Sequence, residues 1–339
     1  MGLYKHMRLS RPIRILVNYL LVPILICWLL FSIYHQIAQQ QNLKEAWSNI
    51  TNSFTSQDWW MLWIVILLVT VNYGLEAKKW QLLIAEVQQV SYLKSYKAVL
   101  SGQSFAFNTV NNVGEYFGRI AHLDEGKRLK AISVTIVGSI SQFIVTLLMG
   151  IGGLIYLRFY ILDDTHFIQG LNKYWIDGLI YALSVGTIVL LLVYYEIAWI
   201  TKLLEKVPYI HKLSFFIVSV EHLSKRKLTF IMFLSIFRYT VFVLQYIILM
   251  HLFKVDIAMI TTGWMVCVMF LVLAIIPSIA LAELGIRGEI SKQIFGLLST
   301  NILGITFSAA LIWFINRVLP ALAGSLLLAG IKLLKNKNI

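Results

Sequence analysis

Two stretches decide how this chain folds: residues 98–120, AVLSGQSFAFNTVNNVGEYFGRI, and residues 275–295, IIPSIALAELGIRGEISKQIF. Each is an apolar segment interrupted by small and polar residues. Each carries Glu, Gly and Arg, and one lies in each half of the chain. Lipid does not solvate charge, so carboxylates and guanidinium groups in or beside apolar segments are rare and tied to a use. Broken segments at matching places in two halves point to the binding region of a transporter.

The rest of the sequence supports a membrane reading. The chain has 339 residues, 59% hydrophobic and 13% charged, with a mean hydropathy of +0.77. A soluble domain carries about 25% charged residues. Apolar runs at 15–34, 59–76, 131–161, 175–195, 228–253, 257–276 and 302–328 approach or exceed the roughly 20 helical residues that cross a bilayer. They are continuous, unlike the short alternating segments of a membrane β-barrel. The expected fold is all-α, a polytopic helical membrane bundle over residues 1–339 as a single domain. It should hold about 7–8 transmembrane helices and two broken or re-entrant segments near 98–120 and 275–300. In the longest run, Gly138, Gly150, Gly152 and Gly153 should permit close helix contact.

Basic residues set the orientation. The head carries Lys5, Arg8, Arg11 and Arg14, whereas the loop 35–58 holds only Lys44. Lys78, Lys79, Lys94 and Lys97 precede the first broken segment, and Lys127, Arg128 and Lys130 follow it. If lysine and arginine mark the cytoplasm, residues 98–113 dip into the membrane and return, and the N-terminus is cytoplasmic. Asp163 and Asp164 then lie outside. The loop 196–227, with Lys202, Lys206, Lys212, Lys225, Arg226 and Lys227, lies inside. Apolar residues at spacings of three and four make that loop an amphipathic helix, resting on the anionic leaflet or packed on the bundle. Seven crossings would place the tail lysines Lys332, Lys335 and Lys337 outside, so an eighth crossing by residues 277–300 is expected.

Several functional classes are disfavoured. A net charge of +13 suggests nucleic acid, but the basic residues sit in short blocks between apolar runs. Cys27 and Cys267 lie inside such runs and read as small hydrophobes, with no disulfide framework or metal spacing. No phosphate loop or nucleotide fingerprint appears, so no cofactor is expected. No small-residue cleavage site follows residues 15–34, so that run is expected to remain as a first helix. The tryptophans Trp59, Trp60, Trp63 and Trp175 mark interfaces.

The candidate substrate-binding residues are Glu115, Arg119, Arg238, Glu283, Arg287, Glu289 and Arg317. A central arginine costs about 2.5–3.5 kcal/mol to insert, so Arg238 and Arg317 need partners or a polar cavity. Glu115 and Arg119, and Glu283 and Arg287, are four apart and share a helix face. Either they are internal ion pairs that lower the insertion cost, or they form an anion site. Gly114, Gly118, Gly285 and Gly288 allow tight turns and close approach, and Pro277 removes a helical hydrogen bond, so these five are candidate hinges. Glu289 is a proton-coupling carboxylate if buried and an interfacial anion if not. The histidines His122, His211, His222 and His251 are scattered and read as structural.

These motifs resemble those of the lysylphosphatidylglycerol synthase transmembrane region, a flippase-like membrane family, over most of the chain. Lys79-Trp80-Gln81-Leu82-Leu83 resembles the segment that closes its second helix. Gly114-Glu115 with Arg119 resembles its Gly-Glu-x-x-Arg segment. Pro277 with Gly285-Ile286-Arg287, and Asn316-Arg317-Val318-Leu319-Pro320 with Gly324, resemble its later segments. The resemblance implies a flippase-like protein of the cytoplasmic membrane without the aminoacyl-transferase domain that some members carry. The expected partner is a membrane lipid with an anionic headgroup. The alternatives are an integral-membrane enzyme on a lipid-linked substrate, or a scaffold for a separate synthase or glycosyltransferase. No catalytic residue is assigned, because the carboxylates lack a nucleophile–base pair.

Overall fold

A computed structural model describes residues 43–107, 109–162, 173–196 and 223–336. The expected first helix at 15–34, Cys27, His211, His222 and nearly all of the amphipathic loop lie outside the described residues. A short helix α1 (Leu43–Thr55) leads through a 3₁₀ turn into α2 (Trp60–Ile84). Then come α3 (Tyr92–Ala106), α4 (Gly114–Ile120), α5 (Arg128–Tyr156), α6 (Lys173–Tyr195) and α7 (Lys225–Leu252). The last group is α8 (Met259–Ile275), α9 (Ala280–Phe295), α10 (Ile302–Trp313) and α11 (Leu319–Asn336). Among the described residues there is no strand. Five helical segments, Gln57–Ile84, Glu125–Ile161, Lys173–Tyr195, Lys225–Leu252 and Ile302–Leu328, are long and apolar enough to span a membrane. The protein is a multi-pass helical membrane bundle.

Contacts between helix ends define two faces. At one, Lys227 at the start of α7 pairs with Glu86 just past α2 (2.5 Å), and Lys225 pairs with Glu196 at the end of α6. Lysines and arginines crowd this face. At the other, Ser53 donates to the Leu252 carbonyl (2.7 Å), and the Asn301 amide donates to the Phe253 and Lys254 carbonyls (both 3.1 Å). Here α1 and α7 end and α10 begins. Trp59, Trp60 and Trp63 lie exposed where α2 starts.

The first broken segment is a helical hairpin open toward the lysine-rich face. Gln81 near the end of α2 donates to the Val90 carbonyl (3.0 Å), and the Asp124 N–H donates to Gln88 (3.2 Å), so both ends of the hairpin lie at that face. Glycine makes the fold-back possible. A β-carbon on Gly114 would overlap the Phe105 carbonyl, and one on Gly118 would overlap the Ser101 carbonyl and the Gly102 backbone. The turn carries Asn111 and Asn112 at φ 50° and 59°, a left-handed conformation that asparagine tolerates better than most residues.

The second broken segment is also a hairpin, but it opens toward the opposite face. α8 starts beside the end of α7 and runs inward to Ile275. Pro277, exposed at the tip, follows the break, and α9 runs back to Phe295, a few residues before Asn301. Ser291 on α9 lies 3.1 Å from the Met269 sulfur on α8, as antiparallel limbs require. The sequence-based expectation of a crossing at 257–276 and an eighth at 277–300 is therefore corrected. The two limbs cancel, because a prolyl break lets the chain reverse inside the bundle. α10 starts at the face opposite the lysine-rich one, so the run through α10 and α11 ends at the lysine-rich face, where the tail lysines are expected.

The long α5 packs through its glycines as expected. Gly150 lies against Leu271, Gly153 against the Trp264 carbonyl and Val268, and Gly138 against Leu83. Trp80, Leu83 and Ile144 anchor one apolar core, while Tyr246, Phe253 and Phe295 anchor the other.

Candidate functional site

The opposed hairpins meet. The Asn111 N–H donates to the Ser278 carbonyl (3.0 Å), and the Ser278 N–H donates to the Asn111 side-chain oxygen (3.1 Å). The second limb of each hairpin thereby brings its Glu-x-x-x-Arg face to a common cavity of about 470 Å³. The cavity lies at mid-height. Arg238 on its wall is halfway along the 28-residue α7, and Gln142 is halfway along the 37-residue span of α5.

On the first half, Glu76 of α2 is the hub. Its carboxylate lies 2.8 Å from Lys79 Nζ, 2.8 Å from Arg119 Nη2 and 3.2 Å from Arg238 Nη1. Arg119 also pairs with Glu115, which accepts from Gln103 (3.0 Å). Arg238 donates to Asn72 (2.7 Å) and Gln142 (3.4 Å), and its guanidinium lies over the Phe242 ring. Glu76, Lys79 and Arg119 are 5%, 2% and 4% exposed, so each depends on the others for neutralisation.

On the second half, Glu283 pairs with Arg287 and with Arg317 (3.1 Å). Arg287 also donates to the Tyr246 hydroxyl (2.9 Å). Arg317 donates to Asn112 (3.2 Å), joining this cluster to the tip of the first hairpin. Its position follows from Pro320. Proline has no N–H, so the Asn316 carbonyl loses its helical donor. The helix widens into a π turn over Phe314–Val318, and the Tyr73 hydroxyl donates to the freed carbonyl (2.8 Å).

Six of the seven sequence-predicted residues, Glu115, Arg119, Arg238, Glu283, Arg287 and Arg317, line this one cavity. Glu289 does not. It lies farther along α9, where Lys292 Nζ contacts both its carboxylate oxygens at 2.7 Å and Gln293 donates to it (3.0 Å). Gly285 and Gly288 are buried within α9 rather than at its break. Sequence reasoning missed Glu76 and gave Lys79 no site role, counting it among the basic residues that mark the cytoplasmic side. α2 continues through both to Ile84, and their spacing of three was the available signal. Tyr73, Gln103 and Gln142 were also missed, because single polar residues in apolar helices carry no pattern. His122 stands apart from the charged cluster, sharing a 2.8 Å hydrogen bond with the Ser101 hydroxyl.

The arrangement is suited to holding an anion. Guanidinium groups from four helical elements converge on one cavity, and each is held by a carboxylate, phenol or amide. A family model described as the lysylphosphatidylglycerol synthase TM region matches residues 15–324. No curated protein and no solved structure matches the chain.

Proposed function

Because the chain belongs to the lysylphosphatidylglycerol synthase transmembrane region family, we propose that it moves a lipid headgroup across the membrane through the mid-height cavity. The observation that carries this reading is the meeting of two oppositely open hairpins on one charged cavity halfway through the bundle. A site at mid-bilayer, between elements that enter from opposite faces, is reachable from either leaflet by small movements of one hairpin. The headgroup would sit among Arg119, Arg238, Arg287 and Arg317, while its acyl chains stay in lipid. Phe143, on the cavity wall at mid-span, and Ile276, at the second hairpin tip, are both partly exposed and give such chains an apolar edge. The basic-residue rule supports a cytoplasmic assignment for the lysine-rich face, and the membrane we propose is the cytoplasmic membrane.

The test is translocation of fluorescent phospholipids in vesicles containing the purified full chain. Wild type should move lipid faster than empty vesicles, and Arg287→Ala and Glu115→Ala should be slower than wild type. Equal rates in all four preparations count against translocation. Chemical turnover of the lipid by the purified protein would support the enzyme alternative instead.

A further inference from the structure

Resting on the reading of this cavity as a lipid headgroup site, we propose that the headgroup is a terminal phosphate carrying two negative charges, a phosphomonoester, rather than a singly charged phosphodiester. The cavity wall, among the described residues, holds three carboxylates, Glu76, Glu115 and Glu283, against five cations, Lys79, Arg119, Arg238, Arg287 and Arg317. The excess is two positive charges, and it is evenly split. Glu76 and Glu115 face Lys79, Arg119 and Arg238 on one half, while Glu283 faces Arg287 and Arg317 on the other. An uncompensated charge at mid-bilayer is costly, because neither bulk water nor counterions screen it there. A dianion bridging the two halves cancels the excess, whereas a phosphodiester leaves one cation over.

The cations around the cavity differ in exposure. Arg119 is 4% exposed and lines the cavity. Arg238 and Arg317 are the more open cations, with side chains 16% and 25% exposed, and are placed to touch the phosphate directly. The forked guanidinium suits the three oxygens of a terminal phosphate. The apolar edge at Phe143 and Ile276 favours a phosphate attached to a lipid over free phosphate.

The experiment is calorimetric titration of the purified full chain in non-ionic detergent with dioctanoyl phosphatidic acid, dioctanoyl phosphatidylglycerol and inorganic phosphate. At about pH 8 the phosphatidic acid should bind on the order of tenfold more tightly than the phosphatidylglycerol. Inorganic phosphate should bind more weakly than phosphatidic acid. Near pH 5 the preference should collapse, because a phosphomonoester regains its second proton with a pKa of about 6. Arg317→Gln, checked for helix content by circular dichroism, removes one excess charge and should shrink the ratio between the two lipids toward one. Equal binding of the two lipids by wild type, or a ratio that survives both low pH and R317Q, overturns the dianion while leaving a lipid site standing. Binding of inorganic phosphate with neither lipid bound overturns the lipid reading as well.

Discussion

Asn111 and Ser278 hold each other by two hydrogen bonds, at 3.0 and 3.1 Å, across the point where hairpins from opposite faces of the bundle meet. Asn111 does so with its backbone at φ 50°, a conformation that costs about 1–3 kcal/mol in a residue other than glycine when the surroundings enforce it. A strained tip held by its counterpart is a place where two elements can separate. The backbone hydrogen bond brings the two residues within reach of a disulfide. Asn111→Cys combined with Ser278→Cys should therefore cross-link under oxidant. If the tips part during transport, the cross-link should abolish lipid movement and reductant should restore it. Wild-type rates in fully cross-linked protein would show that the tips stay together.

Glu76 touches three cations and is 5% exposed, so its removal leaves buried charges without a partner. Breaking a buried pair from one side costs about 3–5 kcal/mol. Glu76→Gln should lower the thermal unfolding midpoint in detergent markedly. Glu125→Gln is the control. Glu125 lies 3.6 Å from Arg128 with its side chain 84% exposed, and surface pairs contribute about 0–1 kcal/mol. Comparable losses in the two variants would remove the hub from the argument.

The same contrast explains what was legible in the sequence. The paired Glu-x-x-x-Arg segments announced themselves because charge beside a break in an apolar run is conspicuous. Pro277 marked the second break for the same reason. Glu76 was hidden because it follows an apolar run, where charge is ordinary, and only the continuation of α2 to Ile84 places it inside. Crossing counts were illegible at 257–276, since a 17-residue apolar helix that turns back reads like one that crosses. Hairpin direction is a tertiary property, set here by the Asn301 contacts to Phe253 and Lys254. The surroundings of Glu289 were not legible, because its spacing to the motif gives no hint that Lys292 pairs with it locally.

Tyr73 and Pro320 form a second testable link. The Tyr73 hydroxyl satisfies the carbonyl that Pro320 leaves without a helical donor, and the π turn between them carries Arg317. Tyr73→Phe leaves a buried carbonyl unpaired, at a cost of about 1–3 kcal/mol. Pro320→Ala supplies an N–H that can close a regular turn and draw Arg317 away from Glu283. We expect Tyr73→Phe to lower stability with a modest effect on lipid binding. Pro320→Ala should weaken lipid binding with little loss of stability. The discriminating measurement is thermal unfolding beside lipid titration of each variant, and the reverse pattern would break the link.

The opposed hairpins also predict a labelling pattern that a net crossing by α8 and α9 would not give. Gly126, between α4 and α5, stands at the lysine-rich face with space around it for a side chain. Asp256, before α8, and Ser299, before α10, flank the second hairpin at the other face. Single cysteines at these three positions can be probed with a membrane-impermeant maleimide in intact and in inverted vesicles. Position 126 should label from one side, and positions 256 and 299 should both label from the other. If positions 256 and 299 labelled from opposite sides, α8 and α9 would make a net crossing, and the two Glu-x-x-x-Arg limbs would no longer reach the cavity from opposing directions. Agreement between positions 256 and 299, against 126, is what two-sided access requires.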